Sequence, residues 1–282
     1  MQTRLSVARM CAVGFSCVGY YRFVQAKQPK QADLDIRDEM QKIAVEWPSY
    51  GSRRVRQELQ ARGWEVSRKR VQRLMWEDNL LCVVKRKFVV TTDSAHGLKV
   101  YPNLAGSMIL TGVDQLWVAD ITYIRLGEEF VYLAVILDGY SRRVIGWHLD
   151  DGLDASLTLT ALRMALQQRG VGSGLVHHSD RGVQYASGDY TDLLKANGIA
   201  ISMSRKANPW DNAACESFMK TLKYEEVYRT EYRNLAHAHS AIGEFLEKVY
   251  NERRLHSALH YRSPVQFEST LAPGASAARI LA

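Results

Sequence analysis

"LWVADITYIRLGEEFVYLAVILDGYSRRVIGWHLD", residues 116–150, decides the fold class. It holds three runs, 116–126, 130–138 and 142–150, each rich in Val, Ile, Leu and aromatics and parted only by "GEE" and "GYS". Runs of this composition, bounded by Gly and polar residues, read as strands. Connections this short make neighbouring strands antiparallel. The expectation is a three-stranded meander.

Beyond residue 150 the pattern alternates. It predicts a helix over 155–169, a strand over 174–180, a helix over 185–196, a strand over 199–204 and a helix from Asn212, capped by Asp211 or Asn212. That β-β-β-α-β-α-β-α order predicts an α/β fold, a mixed sheet flanked by helices. A further helix across 234–250 would pack Ile242, Phe245, Leu246 and Val249.

Three acids fall where a charge needs a purpose. Asp120 interrupts the first strand between Val118 and Ile121, and Asp180 stands where "LVHHS" gives out into "DRG". Glu216 rides a helix whose Ala214, Phe218 and Leu222 make an apolar face, with Lys220 and Lys223 sharing the other face with Glu216. Open α/β sheets carry their sites outside the carboxyl ends of strands. Three carboxylates meeting there would repel one another unless cations joined them, and oxygen ligands suit Mg²⁺ or Mn²⁺. A two-ion site fits an in-line phosphodiester displacement. The competing reading of Glu216 is a solvated i,i+4 pair with Lys220.

The formal charge of +7 has an address. Residues 50–90 hold eleven Lys/Arg against four acids, which leaves the remainder neutral. An amphipathic helix over 33–47 aligns Ile36, Met40, Ile43 and Trp47 and stops at Pro48. Within 50–81, a helix from about Ser52 buries Val55 and Leu59 and ends at Gly63. Ser67 then caps a second helix that buries Val71, Leu74 and Met75. This is the helix-turn-helix pattern. Its Arg53, Arg54, Arg68, Lys69, Arg70 and Arg73 suit phosphates and guanine edges, so double-stranded DNA is the expected partner. Two short helices are expected over 5–24, broken near Gly14.

Other candidates carry a bland reading beside a functional one. His177 and His178 face opposite sides of their strand, so one belongs to the core and the other to the neighbourhood of the site. Asp138 reads as a turn residue, and Asp150, Asp151 and Asp154 as capping before a helix. Trp210 either stacks on an unpaired base or packs. Arg253, Arg254, His256 and Arg262 are expected to track a DNA backbone. Four cysteines without a CxxC read as reduced thiols rather than zinc ligands. The longest apolar run of the body, "FVYLAVIL" (130–137), is too short to cross a bilayer, so no membrane partner and a cytoplasmic, nucleoid-associated location are expected.

Six blocks in order resemble a known family: "YGSRRVRQEL" (50–59), "WVADITYI" (117–124), "LDGYSRRVIGW" (137–147), "HHSDRGVQYAS" (177–187), "SRKANPWDNAACESFMKTLK" (204–223) and "YNERRLHSALHYRSP" (250–264). Together they are similar to the DDE-type insertion-sequence transposases of the "IS three" family, the second-frame (OrfB-like) product with a retroviral-integrase catalytic core. Thirty-five residues lie between Asp180 and Glu216, the spacing of that family, and Lys223 supplies the basic residue expected seven after the Glu. The resemblance implies a ribonuclease-H-like fold. It makes Asp120, Asp180 and Glu216 the catalytic triad holding two Mg²⁺ (or Mn²⁺) ions, and puts Lys220 and Lys223 near DNA. Ala119, Val183 and Ala207 depart from residues common at those positions, and none is in the triad.

The expected organisation is a helical DNA-binding region over 1–88, a linker over 89–113, a catalytic core over 114–230, and a C-terminal helix, basic segment and frayed tail over 231–282. The expected function is metal-dependent cleavage at element ends followed by 3′-OH strand transfer into target DNA. Alternatives are a nuclease of the same fold that does not join, or a non-catalytic repressor. The resemblance also implies a homo-oligomer, and an upstream-frame (OrfA-like) partner or fusion.

Overall fold

The computed structural model describes Ser16 and residues 31–80, 98–205 and 212–271, and the chain divides into two compact units, 1–83 and 84–282. The helices expected over 5–24 (Ser16 apart), together with Ala207 and Trp210, lie outside the described residues.

The first unit is helical: α1 (Gln31–Glu46), α2 (Ser52–Ala61) and α3 (Arg68–Glu77). Ile36, Met40, Ile43 and Trp47 are buried, as their spacing demands, with Val55 and Leu59 of α2 and Val71, Leu74 and Met75 of α3. Gly63 turns the chain at φ +87, a left-handed conformation that other side chains resist. Ser67 then accepts a hydrogen bond from the Arg70 N–H at 3.3 Å and caps α3. The helix-turn-helix stands where the sequence placed it.

The second unit is built on a five-stranded sheet in the order β3-β2-β1-β4-β5, with β1 (Leu116–Leu126), β2 (Glu129–Asp138), β3 (Val144–Asp150), β4 (Val176–Ser179) and β5 (Ala200–Met203). β1, β2 and β3 form the antiparallel meander, while β4 and β5 add in parallel on the far side of β1. The helices are α4 (Ala155–Gln168), α5 (Val183–Ala186), α6 (Gly188–Ala196), α7 (Ala213–Leu222), α8 (Leu235–Glu244) and α9 (Pro264–Ser269). α7 and α8 run on into wide π turns, Lys223–Val227 and Phe245–Arg253.

Alternation along β1 sorts the two layers. Trp117 and Ala119 join Leu157, Leu162, Tyr190 and Leu194 on the α4–α6 side. Val118 and Ile124 join Phe218, Leu222, Ile242 and Phe245 on the α7–α8 side. Period two in the sequence thus becomes two cores back to back.

Three local details differ from the expectation or sharpen it. The helix expected over 185–196 begins at Val183 and is broken at Ser187, whose backbone is extended. Segment 98–113 is pinned to the sheet, because the Leu104 and Ala105 N–H groups donate to Ser202 Oγ of β5 at 2.8 and 3.3 Å. Asp138 is buried and structural: it accepts from the N–H groups of Asp114, Tyr140 and Ser141, at 2.7, 2.9 and 2.7 Å. Among the described residues no helix is long and apolar enough to cross a membrane.

Candidate active site

The parallel pairing of β1 and β4 aligns Trp117 with His177 and Val118 with His178. Asp120 stands two positions beyond Val118 within β1, and Asp180 two positions beyond His178, just past the end of β4. The third acid arrives on α7, which is pinned across β1. Asn212 Nδ2 donates to the Ala119 carbonyl at 3.1 Å, and Cys215 Sγ to the Val118 carbonyl at 3.4 Å. Glu216 follows directly. Asn212 therefore caps nothing with its side chain; it ties the helix to the residue before Asp120.

The three carboxyls share one electrostatic neighbourhood. Burial, chiefly, and the charge of Asp180 push the Asp120 pKa up to about 7, with a smaller contribution from Glu216. The Ile121 N–H, which donates to Asp120 Oδ1 at 2.9 Å, and the Lys223 ammonium act against that rise. Asp180 Oδ1 accepts from the Gly182 N–H at 2.9 Å. Among the described residues the acids do not close into a ready-made ligand cluster. Glu216 keeps 41% of its side chain exposed and lies 3.5 Å from the ammonium of Lys220. The surface pair therefore exists, but a contact this long and this solvated contributes little. The donor set itself is all oxygen, and its most buried member is under-compensated, which is the environment a hard divalent cation satisfies.

Several expected contacts are placed differently. Lys223 is buried rather than presented at the surface, its ammonium 4.6 Å from the centre of the Tyr123 ring. Burial lowers its pKa, and the charge of Asp120 opposes that change. Arg254 cannot track a DNA backbone, because it is buried and hydrogen-bonded to Glu225. Arg253 and Arg262 are exposed, with Arg262 Nη1 donating to Thr270 Oγ1 at 3.1 Å. Both histidines are buried. His177 Nε2 meets Tyr190 Oη at 2.9 Å, and burial drops its pKa to about 3. His178 lies between Ser202 Oγ and Ser204 Oγ, at 2.8 and 3.0 Å. Asp154 stands at the N-cap of α4 without a side-chain cap bond.

In the first unit Arg53, Arg68 and Lys69 are exposed, and Arg54 lies over the Tyr50 ring at 5.3 Å. Arg70 and Arg73 are both held by Asp33 of α1, a residue that sequence reasoning passed over. Glu225 was missed likewise. Its one signal was an acid in "LKYEE" with an arginine pair in "NERR" to match it.

Family profiles described as "Integrase core domain" match residues 111–209 and 197–264, and one described as "HTH-like domain" matches 30–88. The transposase InsF for insertion sequence IS3A of Escherichia coli (strain K12) is 34% identical over 275 residues, covering 95% of this chain and 96% of that protein. The chain belongs to the IS3-family transposases. An uncharacterized 31 kDa protein of insertion element IS600 from Shigella sonnei is 41% identical to this transposase over 263 residues, covering 92% and 97% of the two chains. Among solved structures, the HTLV-2 integrase catalytic core domain in complex with magnesium is 18% identical and covers 55% of the transposase and 96% of that chain, at a TM-score of 0.44. The sheet order and flanking helices described above are the ribonuclease-H-like arrangement of the integrase core.

Proposed function

We propose that this transposase cuts DNA at the ends of its element and joins the freed 3′-OH to target DNA, with Asp120, Asp180 and Glu216 as the catalytic carboxylates. One observation supports the reading: the charges of Asp180 and Glu216, from distant parts of the sequence, both act on Asp120, and α7 is anchored to β1 through Asn212 and Cys215. The donors fit two Mg²⁺ or Mn²⁺ ions, which when bound supply the positive charge that an in-line phosphodiester displacement needs.

The chain's own residues do the rest. Asp120, whose burial favours its protonated form near neutrality, would release that proton to solvent on holding a cation. Asp180 is oriented by the Gly182 N–H, which donates to its Oδ1. Glu216, partly exposed beside Lys220, would be the third ligand. Lys223, buried beside Asp120, offsets the negative charge gathered there. No side chain acts as nucleophile, since water and then the DNA 3′-OH attack phosphorus. Arg53, Arg68, Lys69, Arg70 and Arg73 of the helical unit, with Lys220 and Arg253, contact DNA. Coordinated cutting of two ends calls for a homo-oligomer, and an OrfA-like partner or fusion would add end recognition.

The test is a strand-transfer assay with labelled terminal DNA and Mg²⁺. Joined product is expected; cut but unjoined product means a nuclease, and binding alone a repressor. Asp180→Asn should abolish cleavage and leave DNA binding intact. An equal loss of binding removes Asp180 from catalysis.

A further inference from the structure

The DNA-facing helix of the first unit does not present its arginines freely. Asp33, on α1, reaches across to α3. Its Oδ1 accepts from Arg70 Nε at 2.8 Å and from Arg70 Nη2 at 2.5 Å, and its Oδ2 accepts from Arg73 Nη2 at 3.1 Å. Arg73 turns Nη1 to Glu77 at 2.8 Å. The acid is 14% exposed, whereas the side chains of Arg70 and Arg73 keep 33% and 48% of their surface. Asp33 thus takes the Nε/Nη2 edge of Arg70 and one terminal nitrogen of Arg73, Glu77 takes the other terminal nitrogen of Arg73, and both arginine side chains stay partly exposed. Arg68 and Lys69, on the same helix, are exposed.

We propose that Asp33 is a specificity-determining residue, which holds Arg70 as a preset fork for a guanine edge and withholds the charge of Arg70 and Arg73 from DNA phosphates. The physical reasoning separates two kinds of contact. Phosphate oxygens accept a cation from almost any direction, so a mobile, uncompensated arginine binds any sequence. The O6/N7 edge of guanine accepts a planar fork only in register, and an arginine already fixed loses less rotamer freedom on reaching it. An acid behind the fork favours the second contact over the first on both counts. This inference rests on the reading of α3 as the DNA-facing helix.

The experiment uses the full chain. A randomised duplex pool yields the sequence that the unmodified protein prefers, and that duplex is titrated beside a shuffled duplex of the same composition across a salt series. Asp33→Asn should bind the shuffled duplex several-fold more tightly, steepen the salt dependence by about one to two phosphates, and cut the preferred-to-shuffled affinity ratio about tenfold. Asp38→Asn removes the same charge from α1 at a side chain that is 67% exposed and ion-paired to Lys42, and should leave the ratio unchanged. Arg70→Lys keeps the charge but loses the fork, so the ratio should fall without a steeper salt slope; it decides the matter should Asp33→Asn unfold. Equal shifts of both duplexes in Asp33→Asn, or none, overturn the proposal. An unmodified protein that selects no sequence at all overturns the reading of α3 beneath it as well.

Discussion

Arg254 closes on Glu225 with two parallel hydrogen bonds, Nε at 2.7 Å and Nη2 at 2.8 Å, between side chains only 5% and 9% exposed. The pair ties the end of the turn after α8 to the turn after α7, the turn that begins with Lys223. Removing one partner of a buried pair strands the other charge. Arg254→Ala should therefore cost about 3–5 kcal/mol of stability, while Arg254→Met with Glu225→Leu together should recover most of it. Urea unfolding checks both. A single variant that unfolds at the unmodified midpoint would return Arg254 to the surface and to the DNA.

The raised pKa of Asp120 fixes the sign of a pH effect. Between the ordinary aspartate value of 3.8 and about 7, the folded protein retains a proton that the unfolded chain has released. Stability without divalent ions should fall as pH rises through that window, because the unfolded state then binds fewer protons. Mn²⁺ should reverse the trend, since it competes with that proton and binds better as pH rises. Melting temperatures with chelator and with Mn²⁺, on either side of neutrality, give the two slopes. Parallel slopes would remove Asp120 from the ligand set.

α4 passes close against Gly146 of β3. A Cβ there would stand 2.2 Å from the Ala161 carbonyl oxygen and 2.9 Å from Ala165 Cβ. Backbone cannot yield as a side chain can, so Gly146→Ala should destabilise by about 1–3 kcal/mol or more. Thermal unfolding of this single methyl variant reads it, and an unchanged midpoint would mean α4 sits farther from β3.

His178 joins the parallel strands from inside. His178→Phe would leave the hydroxyls of Ser202 and Ser204 without the ring nitrogens they now meet, at about 1–3 kcal/mol each. The surviving folded protein should cleave DNA with an unaltered pH profile. A displaced profile would reinstate the histidine as a catalytic group.

How much of this was legible varies residue by residue. The meander, the helix-turn-helix and the buried stripes of α1, α2, α3 and α7 follow from periodicity, since burial and side-chain spacing are the same fact seen twice. Asp120, Asp180 and Glu216 were visible as charges out of place, and the family spacing linked them. The arginines misled, because a basic residue looks the same in sequence whether it meets a phosphate or a buried glutamate. Arg254 and Glu225 stand 29 positions apart, and Asp33 and Arg70 37 apart, beyond the reach of any helical or strand period.

By itself the sequence determined the order of strands and helices and the faces they bury, because these depend on local spacing and residue chemistry. Only the tertiary structure decided which charges neutralise one another. It brought the charge of Asp180 to bear on Asp120, drew Lys223 beneath Tyr123, turned both histidines into the core and set Asp33 behind two arginines. Electrostatic pairing depends on distance in space and on exclusion of water, and both come into being only when remote segments pack.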